Sequence, residues 1–266
     1  MQYDFDEIID RAGTNSIKFE AFRQGRPGLA PDAIPMWIAD MDFACPPPVL
    51  AAMRRRLERR ILGYSAVLDP AYGRAVAGWM ERRFGWRADA EQLVTSSGIV
   101  AALHQCVALL TEPGDGVLMF TPTYAPFHMA AARQGRRSVF CRLLRGADGR
   151  FCIDFDALER LAAAPENRLL LLCSPHNPTG RVWTEQELRR VGEICLANGV
   201  FIVSDEIHAD LTRVGVTHIP LQKLFADEAR VITCTAPSKT FNMAGNQLAN
   251  IFIPDGACLL YTSDAA

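Results

Sequence analysis

The sequence predicts an α/β protein, a three-layer, mostly parallel sheet covered by helices. Three observations carry that expectation. Near-continuous apolar runs such as Val117–Phe120, Leu169–Cys173, Val200–Val203 and Val231–Cys234 read as strands buried on both faces. Segments apolar at helical spacing alternate with them, the pattern of a helix-covered parallel sheet. Finally, several runs end in short polar or aromatic turns, and open sheets of this kind gather ligands at the carboxyl ends of their strands.

The bulk numbers fit. The chain has 266 residues, a 49% hydrophobic share and a formal charge of -2 from 28 Lys+Arg against 30 Asp+Glu. That is a globular composition with a substantial core, and its charge balance gives no reason to expect nucleic acid or an acidic membrane as partner. Eight cysteines contain no C-x-x-C pair, and Cys173 and Cys234 lie inside apolar runs as small hydrophobes. No signal-peptide pattern opens the chain and no apolar run approaches the ~18–20 residues of a membrane span. The expectation is a reduced, cytoplasmic protein. The five histidines lack metal-site spacing, so no metal is expected.

Taken in order, residues 1–47 look irregular and rich in Gly and Pro. An apolar segment, Met36–Phe43, is interrupted by Asp40 and Asp42, and Cys45-Pro46-Pro47-Pro48 marks a boundary. A helix fits residues 49–62, with Arg54, Arg55, Arg56, Arg59 and Arg60 as a solvated face, and Gly63-Tyr64 stops it. A second helix fits 70–83. A strand over 92–95 runs into Ser96-Ser97-Gly98 and a helix beginning at Ile99 and ending at Leu110, before Pro113-Gly114. Small residues before a helix start suit both a plain N-cap and a phosphate cradle. The strand at 117–120 leads to Tyr124, either a core tyrosine or a stacking platform for a planar ligand.

The strand at 169–173 ends in Ser174-Pro175-His176-Asn177-Pro178-Thr179-Gly180. A helix over 184–198, opened by a Thr184-x-x-Glu187 capping box, connects it to the strand at 200–203, which ends in Ser204-Asp205-Glu206-Ile207-His208. The strand at 231–235 is followed by Lys239, and a last strand fits 248–253. A lysine at the mouth of a buried strand is either an ordinary loop residue or a desolvated amine suited to Schiff-base chemistry. Ser96–Gly98, Tyr124, Asn177, Asp205 and Lys239 all follow strand ends. No G-x-G-x-x-G follows any strand, which argues against a dinucleotide site.

Ser174–Gly180, Ser204–His208 and Pro237-Ser238-Lys239-Thr240-Phe241-Asn242 resemble the cofactor motifs of fold-type I pyridoxal-phosphate enzymes. Trp37–Phe43, Gly63-Tyr64-Ser65 and the Arg11–Lys18 segment resemble the MalY/PatB group of cystathionine β-lyases within that superfamily. The resemblance covers about residues 1–254. It implies that Lys239 attaches pyridoxal 5'-phosphate as a Schiff base and that Asp205 pairs with the pyridine nitrogen. It further implies that Asn177 bonds the ring oxygen, Tyr124 lies against the ring, and His208 sits near the ring oxygen. Gly98, Ile99 and Ser238 would hold the phosphate, with Tyr64 reaching it from the neighbouring subunit of a homodimer.

The implied reaction is carbon–sulfur β-lysis of cystathionine or a related cysteine thioether, the substrate being a small amino acid. An aminotransferase of the same superfamily and an inactive cofactor-binding or regulatory fragment are the alternatives. Gln247 stands where many aminotransferases carry a basic phosphate-binding residue, which favours the lyase group. The implied organisation is an N-terminal segment, 1–47, that joins a small C-terminal domain, and a large cofactor-binding domain, 48–256. Residues 257–266 do not resemble the family's continuation, so the expectation is a truncated chain in which the small domain and its carboxylate-gripping arginine are missing.

Overall fold

The structure is a computed structural model that describes residues 3–26, 28–30, 32–63, 69–226 and 228–256. The α-helices in chain order are α1 (Phe22–Gln24), α2 (Pro47–Leu57), α3 (Pro70–Phe84), α4 (Ile99–Leu110), α5 (Ala125–Ala132), α6 (Phe155–Ala162), α7 (Glu185–Ala197), α8 (Leu221–Leu224) and α9 (Pro237–Thr240). The strands are β1 (Leu93–Ser96), β2 (Gly116–Thr121), β3 (Arg137–Arg142), β4 (Leu144–Arg145), β5 (Phe151–Cys152), β6 (Asn167–Cys173), β7 (Phe201–Asp205), β8 (Val231–Thr235) and β9 (Ala249–Phe252). The chain divides into two compact units, Met1–Tyr64 with Pro237–Asn246, and Ser65–Ala236 with Gln247–Ala266. Among the described residues no helix is long and apolar enough to cross a membrane.

The larger unit holds a seven-stranded sheet in the order β1-β9-β8-β7-β6-β2-β3. The four ladders from β8 to β3 are parallel, while β9 runs antiparallel to both β8 and β1. Alternate residues of the central strands face opposite layers, as the pleat requires. Val117, Met119, Leu169 and Leu171 pack with α4 and α5 residues such as Leu103 and Phe127. Leu118, Phe120, Leu170 and Leu172 pack with α6, α7 and α8 residues such as Leu158, Leu188 and Leu221. This double burial is why the strands read as unbroken apolar runs, and each fully buried leucine contributes roughly 1.5–3 kcal/mol. A third cluster, Met80, Phe84, Trp86, Leu93, Ala209 and Phe252, seats α3 against the β1–β9 end of the sheet.

Local signals account for several boundaries. α4 spans the residues expected, and Thr184 and Glu187 form the complete capping box before α7. α2 stops at Leu57, short of the expected 62, and Arg60 then takes a positive φ of 58°, a backbone state that ends a right-handed helix. The arginines of α2 are solvated as expected, but the helix has no buried residue at all, and Leu57, Ile61 and Leu62 are exposed.

In the smaller unit, the two acids that interrupt the apolar 36–43 segment are paired. Arg11 bridges Asp40 at 2.7 Å, and Lys18, itself buried, reaches Asp42 at 2.6 Å and the Asp40 carbonyl at 2.8 Å. Trp37 Nε1 donates to the Lys18 carbonyl at 3.1 Å. These bonds tie residues 11–18 to 37–42.

Candidate active site

Parallel strands put their carboxyl ends on one side of the sheet, and three adjacent strands set their residues there in register. Cys173, the last residue of β6, pairs with Asp205, the last of β7, and Asp205 pairs with Cys234 of β8. Asp205 is 2% exposed. Its Oδ1 accepts the Ile207 N–H at 3.1 Å, and its carbonyl accepts the Ser174 N–H at 2.9 Å. A carboxylate so buried calls for cationic or donor partners.

Tyr124 follows the end of β2, half-buried, with its ring edge-on to Phe127 at 6.1 Å. Its hydroxyl pKa is raised by burial first and then by the charge of Asp205, which places the two in one electrostatic neighbourhood. Of the two alternatives read from the sequence, the packing seen is that of a core residue, since Tyr124 lies against the core cluster.

Asn177 is half-buried in the turn after β6, and its backbone N–H donates to Cys173 Sγ at 3.2 Å. His176 beside it is buried, with Nδ1 2.8 Å from the Thr179 hydroxyl. Burial and the Arg181 guanidinium lower its pKa to about 4. His208 is half-buried in the turn after β7.

Gly98 is the N-cap of α4 at φ 98°, ψ 160°, a conformation essentially reserved for glycine. A Cβ there would lie 3.3 Å from Gln247 Oε1. The Gly98 N–H donates to the Ser96 carbonyl at 2.8 Å, so it is engaged in the turn itself. The amides of the first turn of α4, Ile99 foremost, have no intrahelical acceptor and, with the helix dipole, suit an anion.

Ser238 and Lys239 belong to α9 in the smaller unit. There Lys239 Nζ donates to the Ala39 carbonyl at 2.8 Å, and Asn242 Nδ2 donates to the carbonyls of Met41 and Phe43 at 3.0 and 2.7 Å. The Trp37–Phe43 and Pro237–Asn242 motifs thus meet within that unit. Tyr64 lies outside the described residues.

Two features were not singled out in the sequence. Glu206, next to Asp205, is fully buried and bonded to Ser204 Oγ, the Leu221 N–H and His218 Nε2, and nothing in the spacing of His218 marks it as the partner. Cys173 was read as a small hydrophobe. It is buried, but its thiol also bonds the turn that carries Asn177, and burial together with the Asp205 charge raises its pKa so that it stays protonated. Cys234 is buried with Cys106 in the same core cluster.

The chain matches the family described as "Aminotransferase class I and II" over residues 31–263, and it belongs to that family. It is 44% identical over 252 residues to "Cystathionine beta-lyase PatB" of Bacillus subtilis, covering 94% of this chain and 64% of that protein. It is 34% identical over 241 residues to "Protein MalY" of Escherichia coli, covering 91% and 60%. Among solved structures, the pyridoxal-phosphate-bound C-S lyase of Staphylococcus hominis superposes with a TM-score of 0.92 at 40% identity, covering 99% of this chain and 66% of that one. Cystalysin of Treponema denticola, whose crystals contain pyridoxal 5'-phosphate, gives 0.94 at 38% identity, covering 100% and 68%. The chain spans 60–64% of the length of these two curated relatives.

Proposed function

We propose that the chain is the larger part of a pyridoxal-phosphate-dependent carbon–sulfur β-lyase, acting on cystathionine or a related cysteine thioether to give a thiol, pyruvate and ammonia. The observation that carries this reading is the buried Asp205 carboxylate at the sheet's carboxyl end, beside Tyr124 and in a chain 44% identical to a cystathionine β-lyase. The residues fit the group. A buried carboxylate matches a protonated pyridine nitrogen, Tyr124 offers an aromatic face, and the α4 N-terminus, opened by a glycine-only conformation, suits a phosphate.

Bound pyridoxal phosphate supplies an electron sink for negative charge developing at the substrate Cα. Asp205 would hold the ring nitrogen protonated. Asn177 would donate to the ring oxygen, with His208 nearby, and Tyr124 would exclude water from one ring face. Ile99 and Gly98 of α4 and the Ser238 hydroxyl would hold the phosphate, joined by Tyr64 of the partner subunit in a cytoplasmic homodimer. Lys239 is the residue that would attach the cofactor and then move the Cα proton. The N-terminal segment 1–47 would join a small domain, and 48–256 would form the cofactor-binding domain.

The test is incubation of the cofactor-loaded chain with cystathionine, with pyruvate measured by reduction to lactate. Pyruvate release without any added 2-oxo acid is expected. Amino transfer that depends on a 2-oxo acid, with no pyruvate formed from cystathionine, would overturn the lyase reading in favour of an aminotransferase.

A further inference from the structure

In the turn from Ser174 to Gly180, Pro175 and Pro178 have no N–H to donate. Ser174 donates to the Asp205 carbonyl at 2.9 Å, His176 to the Arg181 carbonyl at 2.7 Å and Gly180 to the His176 carbonyl at 2.8 Å. The Asn177 N–H alone among these four goes to a side chain, the Cys173 sulfur at 3.2 Å. The same thiol donates to the Pro175 carbonyl at 3.3 Å. Cys173 is 4% exposed and is itself held from two sides: it is the ladder partner of Asp205, and its carbonyl accepts from Trp183 Nε1 at 3.0 Å.

We infer that Cys173 is a positioning residue, whose thiol pins the backbone of Asn177 to the end of β6, directly across the ladder from Asp205 on β7, and so fixes the spacing between the two groups proposed for the cofactor's ring oxygen and ring nitrogen. An aliphatic side chain fills the same space without either bond. A hydroxyl keeps both roles in a shorter reach. The thiol is suited to both because burial and the adjacent carboxylate keep it protonated, so that it donates and accepts at once. The role rests on the cofactor reading given above.

The experiment compares the wild-type chain with Cys173→Val, Cys173→Ala and Cys173→Ser. Its first readout needs no cofactor: amide hydrogen exchange at Asn177, with His176 as the internal reference in the same turn. Exchange at Asn177 is expected to rise about tenfold in Cys173→Val and Cys173→Ala, the loss of one hydrogen bond of ordinary net strength, and to stay near wild type in Cys173→Ser. Equal exchange at Asn177 in all four proteins would overturn the inference. The second readout is the pH midpoint of the visible band in chains loaded with pyridoxal phosphate. Cys173→Val is expected to move it in the same direction as Asn177→Ala, by about half a pH unit, with Cys173→Ser restoring it. A midpoint unmoved in Cys173→Val but moved in Asn177→Ala would also overturn it. A wild-type chain that forms no band overturns the cofactor reading instead, and the exchange data separate that failure from a failure of the thiol–amide link.

Discussion

His218 Nε2 lies 2.7 Å from Glu206 Oε2, and both side chains are 1% exposed. Glu206 is also bonded to Ser204 Oγ at 2.9 Å and to the Leu221 N–H at 2.9 Å, so one carboxylate ties the end of β7 to the start of α8. Its neighbour in the chain is Asp205. Removing one partner of a buried hydrogen bond leaves the other's desolvation uncompensated, which costs about 1–3 kcal/mol. His218→Ala is therefore expected to lower the urea unfolding free energy by about that amount. A loss under about 0.5 kcal/mol, the scale of an ordinary surface change, would contradict the structural role given to the pair.

The His176 imidazole makes stability pH-dependent. Its pKa is lowered to about 4, so the folded chain refuses a proton that the unfolded chain accepts near the ordinary value of about 6.5. Above that pH both forms are neutral and the residue contributes no difference. As pH falls from about 6.5 toward 4, stability drops, by about 3 kcal/mol at the limit. His176→Asn removes this dependence. The difference in unfolding free energy between pH 7 and pH 4.5 is expected to be smaller in the variant by about 2 kcal/mol, and an identical loss in both proteins would refute the assignment.

Gly98→Ala meets two obstacles, a φ of 98° with ψ 160° and the Gln247 Oε1 at 3.3 Å from the new Cβ. It is expected to destabilise the chain by about 1–3 kcal/mol. Because the turn opens α4, pyridoxal-phosphate affinity should fall with it. Thermal unfolding and cofactor titration check the two effects. A variant as stable as wild type would mean that the turn relaxes without cost.

Asp205→Asn keeps the shape of the buried side chain and removes its charge. If the carboxylate pairs with a protonated ring nitrogen, cofactor binding weakens about a hundredfold or more, the scale of a broken buried ion pair. Equilibrium dialysis with pyridoxal phosphate measures this directly, and an unchanged dissociation constant would exclude the pairing.

Much of the sheet was legible because burial on both faces writes strands as apolar runs. Leu169–Cys173 and Val231–Thr235 are plain cases, and α7 was marked by its capping box. β3 was not legible. It is an edge strand carrying Arg137, Arg142 and an exposed Phe140, so its pattern is broken by solvent. α5 and α6 are eight residues each, too short for periodicity to stand out, and α5 opens with Pro126. The antiparallel course of β9 was hidden too, since an apolar run carries no direction.

For the candidate site, the sequence drew notice to Asn177 and Lys239 because polar segments follow the strands before them, and to Asp205 because it closes an apolar strand. The Glu206–His218 pair and the bonds of the Cys173 thiol were not legible. Both depend on backbone groups and on residues twelve or more positions apart, or on a sulfur that looks apolar in a run of leucines.

The most direct measurement is the site of covalent labelling. The purified chain is mixed with pyridoxal phosphate, its visible spectrum recorded, the linkage reduced with borohydride, and the labelled peptide mapped, with Lys239→Ala as the control. A visible band with the label on Lys239, both lost in the variant, is the predicted result. Label spread over surface lysines, or a band that survives in Lys239→Ala, would contradict the assignment of this chain as a pyridoxal-phosphate protein built around Lys239.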